Sequence, residues 1–173
     1  MSPRLVSGQH MIGYMNTFKL EYLPRDRVSE TLHMSLPPEQ VPFAGHIADL
    51  VSDDNPLRDF HVARLDGTVV GFFKVETAGY ANEMPLAPDH ALGLRMVMVD
   101  QAQQGKGIAK AMFAALPDHL RASYPDATEA YLTVNCKNPR ARHVYLTGGW
   151  VDTGELYLDG GYGPQHVMRL SLR

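Results

Sequence analysis

The chain has 173 residues, of which 45% are hydrophobic and 20% are charged, a balance typical of one folded domain rather than of a disordered segment. The 16 Lys and Arg residues are scattered among 19 Asp and Glu residues, and the net charge of -3 does not favour binding to nucleic acid. No apolar run is long enough for a transmembrane helix or for the core of a signal peptide, so we expect a cytoplasmic protein that has no membrane partner.

The N-terminal segment lacks the hydrophobic period of a strand or a helix. We therefore predict that residues 1–14 are a flexible extension and that residues 15–173 form a single domain. The domain is expected to begin with a strand, in which polar residues alternate with Phe18, Leu20 and Tyr22. Residues 25–32 then predict a short helix.

The next predicted elements are a second helix and a hairpin. Pro38 can occupy the first turn of a helix whose apolar residues share one face: Phe43, Ile47, Leu50 and Val51. Residues 61–65 and 68–76 are β-rich. They are joined by Asp66 and Gly67, a pair that favours the tight turn of an antiparallel hairpin.

The second half of the chain alternates strands and helices. Residues 92–100 predict a strand, in which Gly93 indicates a bend or a bulge. Apolar residues recur with the period of a helix from Ile108 onward, and Pro117 predicts a kink in it. Further strands are predicted over residues 131–134, 150–158 and 167–172.

A glycine-rich turn precedes the helix that starts at Ile108, and its residues are Gln104, Gly105, Lys106, Gly107, Ile108 and Ala109. Free backbone N–H groups and the positive end of the helix dipole meet at such a turn, so it can bind phosphate. Gly105 and Gly107 would let the backbone approach an anion closely. A nucleotide P-loop would need Ser or Thr after the Gly-Lys pair, and a dinucleotide fingerprint would need glycine where Lys110 stands, so neither motif fits.

A second motif follows one strand and one helix later. Asn138 and Pro139 are typical of a helix start, and Gly148 is typical of its end. The motif residues are Asn138, Ala141, Tyr145, Gly149 and Trp150. Together with Gln104, Gly107 and Ala109 of the turn, they resemble the GNAT superfamily of N-acetyltransferases, and the resemblance extends over about residues 17–172.

This resemblance implies an α/β fold with a mixed, mostly antiparallel and bent central sheet of about six to seven strands, flanked by about four helices. The sheet would splay between the strands at residues 94–100 and 130–135, and the pantetheine arm of acetyl-CoA would lie in the gap. The turn of residues 104–109 would bind the pyrophosphate, while Asn138 and Tyr145 would approach the arm from one side. On the other side, the arm would meet backbone groups of Val97, Met98 and Val99.

Acetyl transfer to an amine needs an oxyanion donor, a proton for the leaving thiolate and removal of a proton from the amine. The resemblance assigns the first task to the backbone N–H of Met98 or Val99 and the second to Tyr145. For the third, many family members use a Glu on the strand where this chain offers Arg95, so Glu76 on the neighbouring strand becomes the candidate base. The alternatives are structural, with Tyr145 as a core aromatic residue and Glu76 as a solvent-facing carboxylate.

The sequence thus predicts an N-acetyltransferase that uses acetyl-CoA and no metal, and acts on a primary amine of a small molecule such as a polyamine or an amino-acid derivative. Two alternatives stay open: a protein or peptide N-acetyltransferase, and a non-catalytic acyl-CoA sensor. A homodimer is also left open. The single cysteine, Cys136, and Trp150 are interpreted as core residues.

Overall fold

A computed structural model describes residues 10–12 and 16–173 of the chain. Its strands are β1 (His10–Ile12), β2 (Asn16–Tyr22), β3 (Arg58–Leu65), β4 (Thr68–Glu76), β5 (Leu92–Val99), β6 (Glu129–Asn135), β7 (Val151–Tyr157) and β8 (Gln165–Ser171). They form one eight-stranded sheet in the order β1-β2-β3-β4-β5-β6-β8-β7. Among the strands of the described residues, only β5 and β6 pair in parallel, so the expected mixed, mostly antiparallel sheet is confirmed.

The helices are α1 (Val41–Ala44), α2 (Ile47–Val51), α3 (Tyr80–Glu83), α4 (Ile108–Ser123) and α5 (Pro139–Thr147), with 3₁₀ helices at Arg25–Thr31 and Gln101–Gln103. Within the described ranges, no helix has the length and the apolar composition needed to cross a membrane. The single helix expected after Pro38 is wrong. Gly45 takes a φ of 91° at the end of α1, and this left-handed conformation divides the segment into two short helices.

Strand β1 lies inside the segment that was expected to be a flexible extension. His10 pairs with Phe18, and Ile12 pairs with Asn16. Three extended residues are too few to show a period but enough to pair with a free strand edge, and the extent of the N-terminal extension stays a prediction. Residues 1–9 and 13–15 lie outside the described residues.

Strands β5 and β6 pair only through Leu92 with Ala130 and Gly93 with Tyr131, so the sheet splays beyond Gly93 as expected. The irregularity in β5 lies at Met96, whose φ is 53°, rather than at Gly93. Gly93 has another reason to be glycine. A Cβ there would lie 2.1 Å from the ring of Tyr80, which occupies that space.

Helix α4 covers one face of the sheet and runs for 16 residues through Pro117 without interruption. The side chains that it buries are Ile108, Met112, Phe113, Leu116 and Leu120. This apolar face stabilises the helix enough to offset the backbone hydrogen bond that proline removes. Trp150 is buried at 2% exposure beside Phe113, which confirms its core role. Cys136 is exposed and its core assignment is wrong, since it lies in the turn just beyond β6.

A chain of buried polar side chains lies between β3 and α4. His61 is fully buried and stacks on Phe73. The Tyr124 hydroxyl donates to Asp59 at 2.7 Å, so it must accept its 2.8 Å hydrogen bond from His61 Nε2–H. His61 Nδ1 then accepts from His119 Nε2 at 2.9 Å. Burial lowers the pKa of His61 to about 3, so this chain holds His61 in its neutral form.

Candidate active site

A cavity of about 850 Å³ opens where β5 and β6 diverge. Two of its sides differ in construction. We call residues 97–110 and 132–145 the glycine-turn wall, since they contain the end of β5, the glycine turn and the starts of α4 and α5. We call residues 36–44 and 80–84, together with Arg95, the short-helix wall, since they contain α1 and α3.

The glycine turn presents its backbone to the cavity. Gly105 and Gly107 both have a φ of 78°, which favours glycine, and a Cβ at either position would meet no atom within 4 Å. Gly107 is the N-cap of α4, so the first N–H groups of that helix lie unpaired beside this open space. Ile108 and Ala109 also line the cavity. Such a site suits a phosphate group.

Two residues of the turn use their side chains elsewhere. Lys106 does not line the cavity, and its Nζ donates to Gln103 at 3.3 Å. Gln104 lines the cavity, but its amide forms a reciprocal pair with the amide of Gln40, with hydrogen bonds of 2.9 and 3.1 Å. Gln104 Nε2 also donates to the Val99 carbonyl at 3.1 Å. Gln104 therefore links the turn to Val99 of the glycine-turn wall and to Gln40 of the short-helix wall.

The end of β5 forms the other backbone surface of the cavity, through Val97, Met98 and Val99. One edge of β5 pairs with β4 up to Val99, whereas the opposite edge pairs with β6 only at Leu92 and Gly93. The backbone groups on the cavity edge beyond Gly93 are thus available to an extended ligand, as a neighbouring strand would use them.

Asn138 and Tyr145 line the cavity from α5, as expected. Asn138 Oδ1 caps its helix by accepting from the Ala141 N–H at 3.2 Å. The Tyr145 ring is partly buried, with its centroid 4.4 Å from that of Phe113. Burial raises the pKa of Tyr145 to about 12, so its hydroxyl keeps its proton at neutral pH.

Several lining residues were not found from the sequence. Lys110 and Arg140 line the cavity in the first turns of α4 and α5, where a cation opposes the helix dipole. That unfavourable placement was a readable signal of an anionic ligand. On the short-helix wall, Tyr80, Glu83 and Arg95 had no local signal, because β4, α3 and β5 come together there only in the folded chain.

Glu76, the candidate base, does not line the cavity. Its side chain is 5% exposed, and Oε2 lies 2.5 Å from Arg95 Nε and 3.5 Å from Arg58 Nε. The alternative, in which Glu76 is a solvent-facing carboxylate, is wrong because the side chain is buried. A catalytic role for Glu76 stays a prediction, and this placement gives it no support, since its carboxylate is engaged by two guanidinium groups.

The sequence profile of the acetyltransferase (GNAT) family matches residues 23–149. The chain belongs to this family. A stretch of 108 residues is 32% identical to an uncharacterized N-acetyltransferase, YbbJ, of Bacillus subtilis (strain 168). This match spans 60% of the present chain and 64% of that relative, which is less than two thirds of the relative's length.

Solved acetyltransferases share the fold of this family member. Aminoglycoside acetyltransferase AAC(6')-Ib, in complex with coenzyme A and kanamycin, superposes with a TM-score of 0.70 at 18% identity, over 89% of this chain and 94% of that one. An aminoglycoside N(6')-acetyltransferase from Legionella pneumophila superposes with a TM-score of 0.66 at 16% identity, over 90% of this chain and 92% of that one. A spermidine N-acetyltransferase SpeG chimera from Vibrio cholerae and hSSAT superposes with a TM-score of 0.61 at 19% identity, over 90% of this chain and 95% of that one.

Proposed function

We propose that the protein transfers an acetyl group from acetyl-CoA to the primary amine of a small molecule. The observation that carries this proposal is the cavity at the splay, which places the open backbone of the glycine turn, the free edge of β5 and the Tyr145 ring around one space. A neighbour of the same fold is complexed with coenzyme A.

In this proposal the pyrophosphate lies on the backbone N–H groups from Gly105 to Ala109, at the N-terminus of α4. Lys110 and Arg140, which also line the cavity, add positive charge for the phosphates. The pantetheine arm runs along the free edge of β5 and bonds the backbone of Val97 to Val99, and it passes Asn138. The thioester then reaches the irregular part of β5.

The reaction we propose is direct attack of the amine nitrogen on the thioester carbon. The C–N bond forms while the carbonyl oxygen becomes an oxyanion, which accepts hydrogen bonds from the backbone N–H of Met98 or Val99. When the intermediate collapses, the C–S bond breaks and the Tyr145 hydroxyl gives its proton to the thiolate. The raised pKa of Tyr145 keeps that proton in place until the thiolate forms.

Proton removal from the acceptor is assigned to water rather than to direct contact with Glu76, because Glu76 does not line the cavity. The amine then reacts from its neutral fraction, which is small below an ordinary amine pKa of about 10.4. Under this assignment, kcat/KM rises about tenfold per pH unit until the pKa of the acceptor itself. A plateau that begins well below that pKa would point to an enzyme base.

The small-molecule class is supported by the neighbours, one of which is complexed with kanamycin and another of which is a spermidine N-acetyltransferase. The test is a thiol-release assay with acetyl-CoA and a panel of small amines and peptides. We expect turnover on small amines. Turnover only on peptides would favour a protein acetyltransferase, and acetyl-CoA binding without turnover on any amine would favour a sensor.

A further inference from the structure

Four charged side chains form a closed ring of alternating sign at the base of the short-helix wall. Arg58 contacts Glu76 at 3.5 Å and Glu83 at 2.9 Å, and Arg95 contacts the same two carboxylates at 2.5 and 3.0 Å. Only Arg95 and Glu83 line the cavity. The ring comes from β3, β4, α3 and β5, and it fastens the one-turn helix α3 to the sheet.

Arg95 is held in a fixed orientation by three different contacts. Its Nε donates to Glu76, its Nη2 donates to Glu83, and its guanidinium lies 4.8 Å from the ring centroid of Tyr80. The Tyr80 ring in turn occupies the space that Gly93 leaves free. A planar guanidinium that is oriented in this way is prepared to bind a carboxylate, since little side-chain freedom is lost on binding.

Glu83 and Arg95, the two ring residues that line the cavity, differ in whether a hydrogen-bonding atom remains without a partner. Both oxygens of Glu83 already accept hydrogen bonds, one from Arg58 and one from Arg95. Arg95 uses Nε and Nη2, and within the part of the chain that the structure describes Nη1 has no hydrogen-bond partner. Of the two ring residues that line the cavity, Arg95 is therefore the one with an N–H group, at Nη1, that can still donate a hydrogen bond to a ligand.

We propose that Arg95 binds a carboxylate of the acceptor, so that the substrate is an amine that also carries a carboxylate, as an amino acid does. This inference rests on the proposed acetyl transfer and selects between the two kinds of small amine that the sequence leaves open. A polyamine would offer the Arg95 Nη1 no hydrogen-bond acceptor, and an ammonium placed at Arg95 itself would be repelled by the like charge.

The test uses acceptors in matched pairs, in which each amino acid is compared with its own carboxamide, and polyamines form a third series. We expect the wild-type enzyme to favour the carboxylate of a pair by about tenfold or more in kcat/KM, as a charge-assisted hydrogen bond allows. Arg95→Gln should bring that ratio close to one and leave the affinity for acetyl-CoA unchanged. Arg95→Lys keeps the positive charge but loses the planar guanidinium, so we expect an intermediate ratio. This variant replaces Arg95→Gln in the test if Arg95→Gln does not fold.

Arg58→Gln is the matched control, because it removes the other guanidinium of the ring but lies off the cavity surface. The control should keep the preference for the carboxylate. The inference is overturned if wild-type enzyme prefers carboxamides or polyamines, or if Arg58→Gln lowers the ratio as much as Arg95→Gln does; in both cases acetyl transfer itself still stands. Acetyl-CoA binding without turnover on any acceptor would overturn the proposed function, and this inference with it.

Discussion

The two walls of the cavity are built by different means. The glycine-turn wall consists of a long strand end, a tight turn and two helix starts, and it offers mainly backbone groups to a ligand. The short-helix wall consists of one-turn helices that are held by side chains, through the charge ring and the Gln40–Gln104 amide pair. We infer that substitutions on the first wall act mainly on acetyl-CoA binding and on acetyl transfer, whereas single side-chain changes on the second can alter which acceptor is used.

The largest effect is expected at the backbone of the glycine-turn wall. Gly107→Val would place a branched side chain at a φ of 78°, in the space where the pyrophosphate must approach. We expect acetyl-CoA affinity, measured by calorimetry, to fall by about 10²-fold or more. Gly154→Val is the matched control, since Gly154 has a φ of 83° and open space but does not line the cavity. Equal losses in both variants would attribute the effect to backbone strain.

A side chain on the glycine-turn wall supplies the next test. Tyr145→Phe keeps the ring contact with Phe113 and removes only the hydroxyl. We expect kcat to fall by about 10²-fold, with acetyl-CoA affinity unchanged. The defect should shrink with an acyl donor whose thiol is more acidic than that of CoA. In wild-type enzyme, a pKa of about 12 predicts no loss of kcat from Tyr145 ionisation up to about pH 10. Wild-type kcat in the variant would return Tyr145 to a packing role.

The buried His61 chain belongs to neither wall, so it should affect stability and leave cofactor binding alone. Its folded-state pKa of about 3 lies below the ordinary value of about 6.5, so between these values the unfolded chain binds a proton that the folded chain does not. The contribution of His61 to the free energy of unfolding is fully present above pH 6.5 and falls as the pH drops toward 3. Denaturant unfolding should show a slope of about 1.4 kcal/mol per pH unit in that window from this group.

The slope should flatten in His61→Phe and persist in His90→Gln, since His90 is exposed and paired only with Glu129. Acetyl-CoA affinity over the same pH range should be alike in both variants. An unchanged slope in His61→Phe would assign acid sensitivity to other groups, among them His119, whose pKa burial also lowers.

The smallest effect is expected where the walls touch. Gln40 lies on the short-helix wall, but its amide holds Gln104 of the turn through two hydrogen bonds. Gln40→Ala should weaken acetyl-CoA binding by about fivefold, roughly the worth of one net hydrogen bond. Gln103→Ala is the control, because Gln103 also lines the cavity but its side chain contacts only Lys106. No change in the Gln40 variant would mean that the two walls act independently.

Features that depend on neighbouring residues could be predicted from the sequence. Asp66 and Gly67 adopt φ values of 50° and 86° in the predicted hairpin turn, and Asn138 caps the helix that it was expected to start. Gly107 opens α4 as the motif required. Each of these depends on backbone conformation and hydrogen bonds within a few residues, so a short stretch of sequence is enough to indicate it.

The composition of the short-helix wall could be read only from the folded structure. Gly93 looked like a bend and instead makes room for Tyr80, and Glu76 looked available and is instead buried between Arg58 and Arg95. The partners of that ring lie on three strands and one helix, so their spacing in the chain carries no record of their contacts. An ion pair or a ring contact depends on distance in space, and that distance exists only after the sheet has formed and splayed.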